Sequence, residues 1–169
     1  MTGGGAEPLA TQPAVSKLPR VVVASLGNEY RRDDGAGQIV AATVAEQAPG
    51  VDNIGSQVDP LDLLGRWDDA DLAIVIDATR ADGTPGAVRV VDLGSGAESP
   101  GVTSTHGITL SGVLRLARAV GRAPARVIVV GIEGDDFGKG TGLSPSVCSA
   151  VPVAVSLVVD MIEEARRCA

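Results

Sequence analysis

The chain has 169 residues, a formal net charge of −7 and an aromatic content of only 2%. A chain of this length fits one domain, and the composition excludes common nucleic-acid binders, which need clustered Lys and Arg or stacked aromatic rings. The sequence contains one histidine, His106. Any reaction that needs an imidazole must therefore use this residue or one from a partner.

Apolar runs and amphipathic stretches alternate along the chain. The runs that predict strands are residues 20–26, 51–58, 71–77, 87–93 and 126–132. The stretches that predict helices are residues 34–47, 60–67, 109–120 and 145–167. The strand at 87–93 follows its predecessor too closely for a crossover helix, so we expect it to be antiparallel at an edge. The predicted fold is α/β: a three-layer sandwich whose mostly parallel, twisted sheet of about five strands has helices on both faces.

The ends of the chain bear on its location in the cell. Residues 1–19 lack the basic and apolar regions of a signal peptide and are expected to be a disordered leader before a single domain at 20–169. The longest apolar run, residues 147–159, is interrupted by Pro152 and is too short to span a bilayer. These features indicate a cytoplasmic protein, expected to be a monomer that binds neither membranes nor nucleic acid.

Polar side chains follow several of the predicted strands. Ligand sites of parallel sheets lie beyond the carboxyl ends of the strands, and these ends carry Asn28, Asp77 and Glu133. Asp34 closes the first loop, and His106 precedes a predicted helix whose start lies at the same edge. Asp34, Asp77 and His106 form a three-ligand set for a borderline divalent ion with open coordination positions. Each residue also has a structural interpretation: a helix N-cap, a strand end and a surface histidine, respectively.

Several familiar catalytic and nucleotide-binding motifs are absent. The loop after the first strand lacks the GxGxxG pattern of dinucleotide-binding proteins. Residues 134–141, GDDFGKGT, have one residue too few between the glycines for a phosphate-binding loop. The chain also has no GxSxG motif, which excludes a serine hydrolase of the α/β-hydrolase type.

Four segments in chain order resemble the nickel–iron hydrogenase maturation proteases. Residues 27–37 read GNEYRRDDGAG and match the family signature GN-x4-D-[DE]-G-x-G. The other three segments are VIDA at 75–78, STHG at 104–107, and GIE at 131–133 with GLSPSV at 142–147. The resemblance extends over residues 20–167, which is most of the chain.

The resemblance implies an aspartic-type endopeptidase that removes the C-terminal extension of a hydrogenase large-subunit precursor after nickel insertion. It implies that Asp34, Asp77 and His106 contact nickel, which the precursor carries and which this protein does not hold stably. Asp34 and Asp77 are then the candidate catalytic carboxylates. Asn28 and Glu133 are the candidate substrate-binding residues.

Two positions depart from the family pattern. Asp34 stands where the best-known members have Glu, and residues 55–57 (GSQ) stand where many members have an Asp followed by two glycines. Two routes to hydrolysis are compatible with the sequence: activation of water or carbonyl by nickel, or a carboxylate acting as general base. Two other functions are compatible as well, a non-catalytic nickel-dependent assembly module for hydrogenase and a small-molecule hydrolase on a similar fold.

Overall fold

The computed structural model describes residues 18–80, 83–94 and 109–168. Its strands and α-helices are, in chain order, β1 (Val21–Leu26), α1 (Ala36–Gln47), β2 (Asp52–Gln57), β3 (Leu72–Thr79), β4 (Val88–Asp92), α2 (Leu110–Ala119), β5 (Val127–Glu133) and α3 (Pro145–Arg167). Two short 3-10 helices, Arg32–Gly35 and Pro60–Leu63, precede α1 and follow β2. The leader predicted at 1–19 lies outside the described residues except for its last two positions.

The five strands form one sheet in the order β2-β1-β3-β5-β4. β1 pairs in parallel with β2 and β3, and β3 pairs in parallel with β5. β4 pairs with β5 in the antiparallel direction and lies at an edge. The predicted mostly parallel sheet with one antiparallel edge strand is therefore confirmed. The central strands are buried along nearly their whole length, as their β-branched, apolar runs predict.

Successive residues of the central strands point into two separate cores. On one face, Ile74 and Ile76 of β3 pack with buried residues of α1 and α3. On the other face, Val75 packs with α2 and with Trp67, which is fully buried. Helices thus cover both faces of the sheet, which confirms the three-layer sandwich.

The glycine at position 37 sets how closely α1 approaches the sheet. A Cβ atom at Gly37 would lie 2.8 Å from the backbone oxygen of Ile76 and 3.2 Å from Cβ of Ser25. Real Cβ atoms do not approach a carbonyl oxygen so closely, so only glycine allows this contact. The second glycine of the GxG pattern is therefore explained by helix–strand packing.

Two predicted helix boundaries differ from the structure. The segment predicted as a helix at residues 60–67 is helical only at Pro60–Leu63. Asp59 is its N-cap as predicted, because the Asp59 side chain accepts a hydrogen bond from the Leu61 N–H at 2.9 Å. Gly65 has a φ of +82°, a conformation that does not continue a helix. The helix predicted to begin at residue 34 begins at Ala36, after the 3-10 helix Arg32–Gly35.

The final helix is longer than the apolar run from which it was predicted. By length and composition alone, α3 is long and apolar enough to cross a membrane, although the apolar run at 147–159 is only part of it. In this fold, however, Ala154, Val158 and Ile162 of α3 are buried in the core beside α1 and the sheet. Mostly buried core helices of soluble proteins meet the same criterion, and 33% of the apolar window of α3 is buried.

Candidate active site

The loop between β1 and α1 holds the Asp34 carboxylate at the carboxyl end of β1. Asp34 Oδ2 accepts a hydrogen bond from the Asn28 N–H at 3.0 Å. Gly27 has a φ of +116°, and a Cβ atom there would lie 2.2 Å from the backbone oxygen of Asp34. Because only glycine fits this position, the first residue of the GN motif is required by the close return of the chain. The N-cap of α1 is Gly35 and not Asp34, so the interpretation of Asp34 as a helix cap is wrong.

Asp77 lies near the carboxyl end of β3, the neighbour of β1. It shares a sheet face with Val75 and is only partly exposed. Burial raises the pKa of Asp77 from 3.8 to about 7, and the negative charge of Asp34 is the second cause of this increase. A hydrogen bond from the Ala78 N–H opposes this shift. The structure therefore brings Asp34 and Asp77 together closely enough for their charges to interact.

Glu133 ends β5 and lies on the same sheet face as Asp77. It is 2% exposed, and Thr79 Oγ1 donates a hydrogen bond to its Oε2 at 3.4 Å. Thr79 is paired with Glu133, and Asp77 is paired with Gly131. Glu133 therefore lies two residues further towards the carboxyl end of the sheet than Asp77. The side-chain oxygen of Asn28, the other predicted substrate-binding residue, accepts a hydrogen bond from the Tyr30 N–H at 2.9 Å. Asn28 thus shapes the loop that carries Asp34.

His106, the third predicted metal ligand, lies outside the described residues. The helix that follows it has Thr109 as its N-cap, with Thr109 Oγ1 accepting a hydrogen bond from the Gly112 N–H. The chain after α2 reaches the amino end of β3, where the Ala125 N–H donates to the Ala70 oxygen. The N-terminus of α2 therefore lies at the opposite, carboxyl edge of the sheet. Within residues 18–80, 83–94 and 109–168, no group of three His, Cys, Asp or Glu residues is placed to hold a metal ion.

Asp33 is a buried carboxylate that sequence reasoning did not single out. Its oxygens accept three backbone hydrogen bonds, from Asp135 at 2.9 Å, Asp136 at 2.8 Å and Ser144 at 2.6 Å. Burial by itself would raise the pKa of Asp33, but these hydrogen bonds outweigh it and hold the pKa below 3.8. The sequence signal was the pair of adjacent acids, which does not tell which of the two faces the interior.

Several solved structures with the same fold are of hydrogenase maturation enzymes. The maturating endopeptidase HybD from E. coli is 24% identical, with a TM-score of 0.71, and the match covers 86% of this chain and 93% of that one. The [NiFe] hydrogenase maturation protease HybD from Thermococcus kodakarensis is 25% identical, with a TM-score of 0.64 and coverage of 85% and 99%. A comparison with curated protein sequences finds no match. The chain has the fold of these maturation endopeptidases.

A family model gives the assignment. The model of the HycI hydrogenase maturation proteases matches residues 47–161, which is more than half of the chain. The chain belongs to the hydrogenase maturation protease family and is an endopeptidase of hydrogenase maturation. The resemblance inferred from the four sequence segments is confirmed.

Proposed function

We propose that this endopeptidase removes the C-terminal extension of a nickel–iron hydrogenase large-subunit precursor after nickel insertion, and that Asp34, Asp77 and His106 recognise the nickel bound to that precursor. The observation that carries the proposal is the carboxylate pair at the carboxyl edge of the sheet. Repulsion from Asp34 and burial together raise the pKa of Asp77 to about 7. A divalent cation placed between two such carboxylates offsets this repulsion and favours the ionised form of both.

The carboxylate pair suits a metal ion that arrives with the substrate. None of the salt bridges among the described residues involves Asp34 or Asp77. A site with two carboxylates and the chain's one imidazole supplies three ligands, and a borderline ion such as Ni²⁺ has further coordination positions. In this proposal, ligands of the precursor fill those positions, and the protein alone retains nickel weakly.

The same carboxylates can handle the protons of peptide hydrolysis. A water molecule adds to the scissile carbonyl carbon, the C–N bond breaks, and the departing amine takes up a proton. A carboxylate of the pair accepts the proton of the attacking water and passes it to the amine. Nickel in the precursor aligns the scissile bond with the pair.

The remaining parts of the proposal concern the partner and its surroundings. Asn28 and Glu133 flank the carboxylate pair at the ends of β1 and β5, where an extended precursor segment would pass. The precursor is the expected partner of a monomeric, cytoplasmic enzyme. Nickel enters and leaves with this partner.

Cleavage of a purified precursor tests the proposed function. Nickel-loaded precursor is incubated with the wild type, with Asp34→Asn and with His106→Ala, and the shortened product is followed on a gel. We expect cleavage by the wild type and at least a hundredfold slower cleavage by both variants. Asp71→Asn is the matched control, because Asp71 binds the Arg20 N–H before β3, at the opposite edge of the sheet.

Three outcomes would contradict parts of the proposal. Equal rates for His106→Ala and wild type would overturn the three-residue metal site. Equal cleavage of nickel-loaded and nickel-free precursor would overturn nickel recognition. A stable complex of wild type and precursor without any cleavage would replace the peptidase by a binding module.

A further inference from the structure

Two loops at the carboxyl edge of the sheet are joined by backbone hydrogen bonds. They are the β1–α1 loop, residues 27–35, and the β5–α3 loop, residues 134–144. The Arg32 N–H donates to the Gly140 oxygen at 3.0 Å, and the Gly140 N–H donates to the Tyr30 oxygen at 2.9 Å. A salt bridge of 3.0 Å between Arg32 and Asp136 lies beside them. The loop that carries Asp34 is therefore attached to the loop that leads into α3.

Asp33 is the buried centre of this attachment. Its side chain is fully buried, and both of its oxygens accept backbone N–H groups of the β5–α3 loop, from Asp135, Asp136 and Ser144. Its own N–H donates to the Asp136 oxygen at 3.0 Å. An ionised carboxylate, which only accepts hydrogen bonds, matches three converging donors.

The 3-10 helix that carries both aspartates needs such an attachment. It begins at Arg32, whose φ of +50° is unfavourable for a residue with a side chain. Consecutive residues of a 3-10 helix point about 120° apart, so Asp33 can face the interior while Asp34 faces the edge of the sheet. The Asp34 N–H donates to the Arg31 oxygen, and among the described residues its carboxylate has one hydrogen bond to its own loop, from the Asn28 N–H. Its direction therefore depends on how the 3-10 helix is held.

We propose that Asp33 is a positioning residue for the peptidase reaction: by binding the β5–α3 loop it orients the 3-10 helix so that the neighbouring Asp34 faces Asp77. This inference rests on the proposed function, because it assigns a part in the reaction of the carboxylate pair. Asp33 does not touch the substrate. It acts through the direction of Asp34.

Asp33→Asn tests the proposal, because an amide of the same shape must point its NH₂ group at one or more of the three donors. We expect the turnover number for nickel-loaded precursor to fall tenfold to a hundredfold, as small displacements of a reacting group do, while KM changes less than twofold. Hydrogen exchange of the Asp135, Asp136 and Ser144 amides should become faster, while exchange in β3 stays unchanged. Asp71→Asn again serves as the control, since its carboxylate also binds a backbone N–H.

A second variant removes a donor instead of the acceptor. Ser144 has φ −63° and ψ 155°, angles that proline adopts. In Ser144→Pro the ring Cδ replaces the N–H that lies 2.6 Å from Asp33 Oδ1, so the variant removes this donor and displaces the Asp33 carboxylate. Both variants are assayed at a temperature where circular dichroism shows them folded. If Asp33→Asn does not fold, Ser144→Pro carries the test, with the same expected loss of turnover.

The outcomes separate this inference from the proposed function. Wild-type turnover in a folded Asp33→Asn or Ser144→Pro protein would show that Asp33 is structural only and overturn the positioning role alone. A loss of turnover that equals the unfolded fraction would do the same. Failure of the wild type to cleave the precursor would overturn the proposed function together with the role of Asp33 in it.

Discussion

Replacing Asp77 with Asn should stabilise the free protein while abolishing cleavage of the precursor. Burial, and then the charge of Asp34, raise the pKa of Asp77 from 3.8 to about 7. The unfolded chain ionises this side chain at the lower value, so the folded protein loses stability as the pH rises from about 4 to about 7. The difference of about 3 pKa units, at 1.36 kcal/mol each, corresponds to about 4 kcal/mol at pH 8. This figure is an upper bound, because Asp77 is partly exposed.

Urea unfolding at pH 4 and pH 8, in the presence of a chelator, measures the effect. We expect Asp77→Asn to exceed the wild type by about 2–4 kcal/mol at pH 8 and by little at pH 4, because Asn keeps an oxygen that can accept the hydrogen bond from the Ala78 N–H. Asp92→Asn is the control with the opposite sign. A hydrogen bond from the Gly94 N–H lowers the pKa of Asp92; burial opposes this shift and Arg126 adds to it. Removing the Asp92 carboxylate should therefore lower the free energy of unfolding at pH 8. A less stable Asp77→Asn protein at pH 8, or a difference independent of pH, would refute this reasoning.

Two further comparisons test the loop and the core, each with a matched control. Gly27→Ala should lower the free energy of unfolding by at least about 3 kcal/mol and abolish cleavage. Gly142→Ala should lower it by only about 1 kcal/mol. Both glycines have positive φ, but only Gly27 lacks room for a Cβ atom. Equal losses would contradict the steric argument. Leu63→Ala should lower the free energy of unfolding by about 2–5 kcal/mol, because Leu63 is fully buried. Leu116→Ala should lower it by less than about 1 kcal/mol, because Leu116 is 45% exposed. Urea unfolding at one pH measures all four variants.

Hydrophobic periodicity predicts most of this fold because the central strands are buried on both faces. The runs of β1, β3 and β5 are continuous and apolar, and each is a strand within two residues of its predicted bounds. The short connection before β4 also predicts its antiparallel edge position. β2 is polar and has Gly55 at a φ of +77°, so its bounds depend on pairing with β1 more than on its own sequence.

The site is predictable only as far as topology determines it. The ends of β1 and β3 bring Asp34 and Asp77 to one edge, which the strand pattern alone indicates. A 3-10 helix has no long periodic signature, so the sequence does not distinguish the inward Asp33 from the outward Asp34. The predicted metal-binding role of His106 stays a prediction, because this residue is outside the part of the chain that the structure describes.

The sheet order has a consequence for when activity can arise during synthesis. β1 lies between β2 and β3, and β3 needs β5, which comes much later in the chain, as its other neighbour. Long-range parallel pairings form slowly, after the local structure. A growing polypeptide that has emerged only as far as Asp77 therefore contains both carboxylates but lacks β5 and the loop that binds Asp33. We therefore expect peptidase activity to arise only after the last strand has emerged, so that partly synthesised enzyme is inactive.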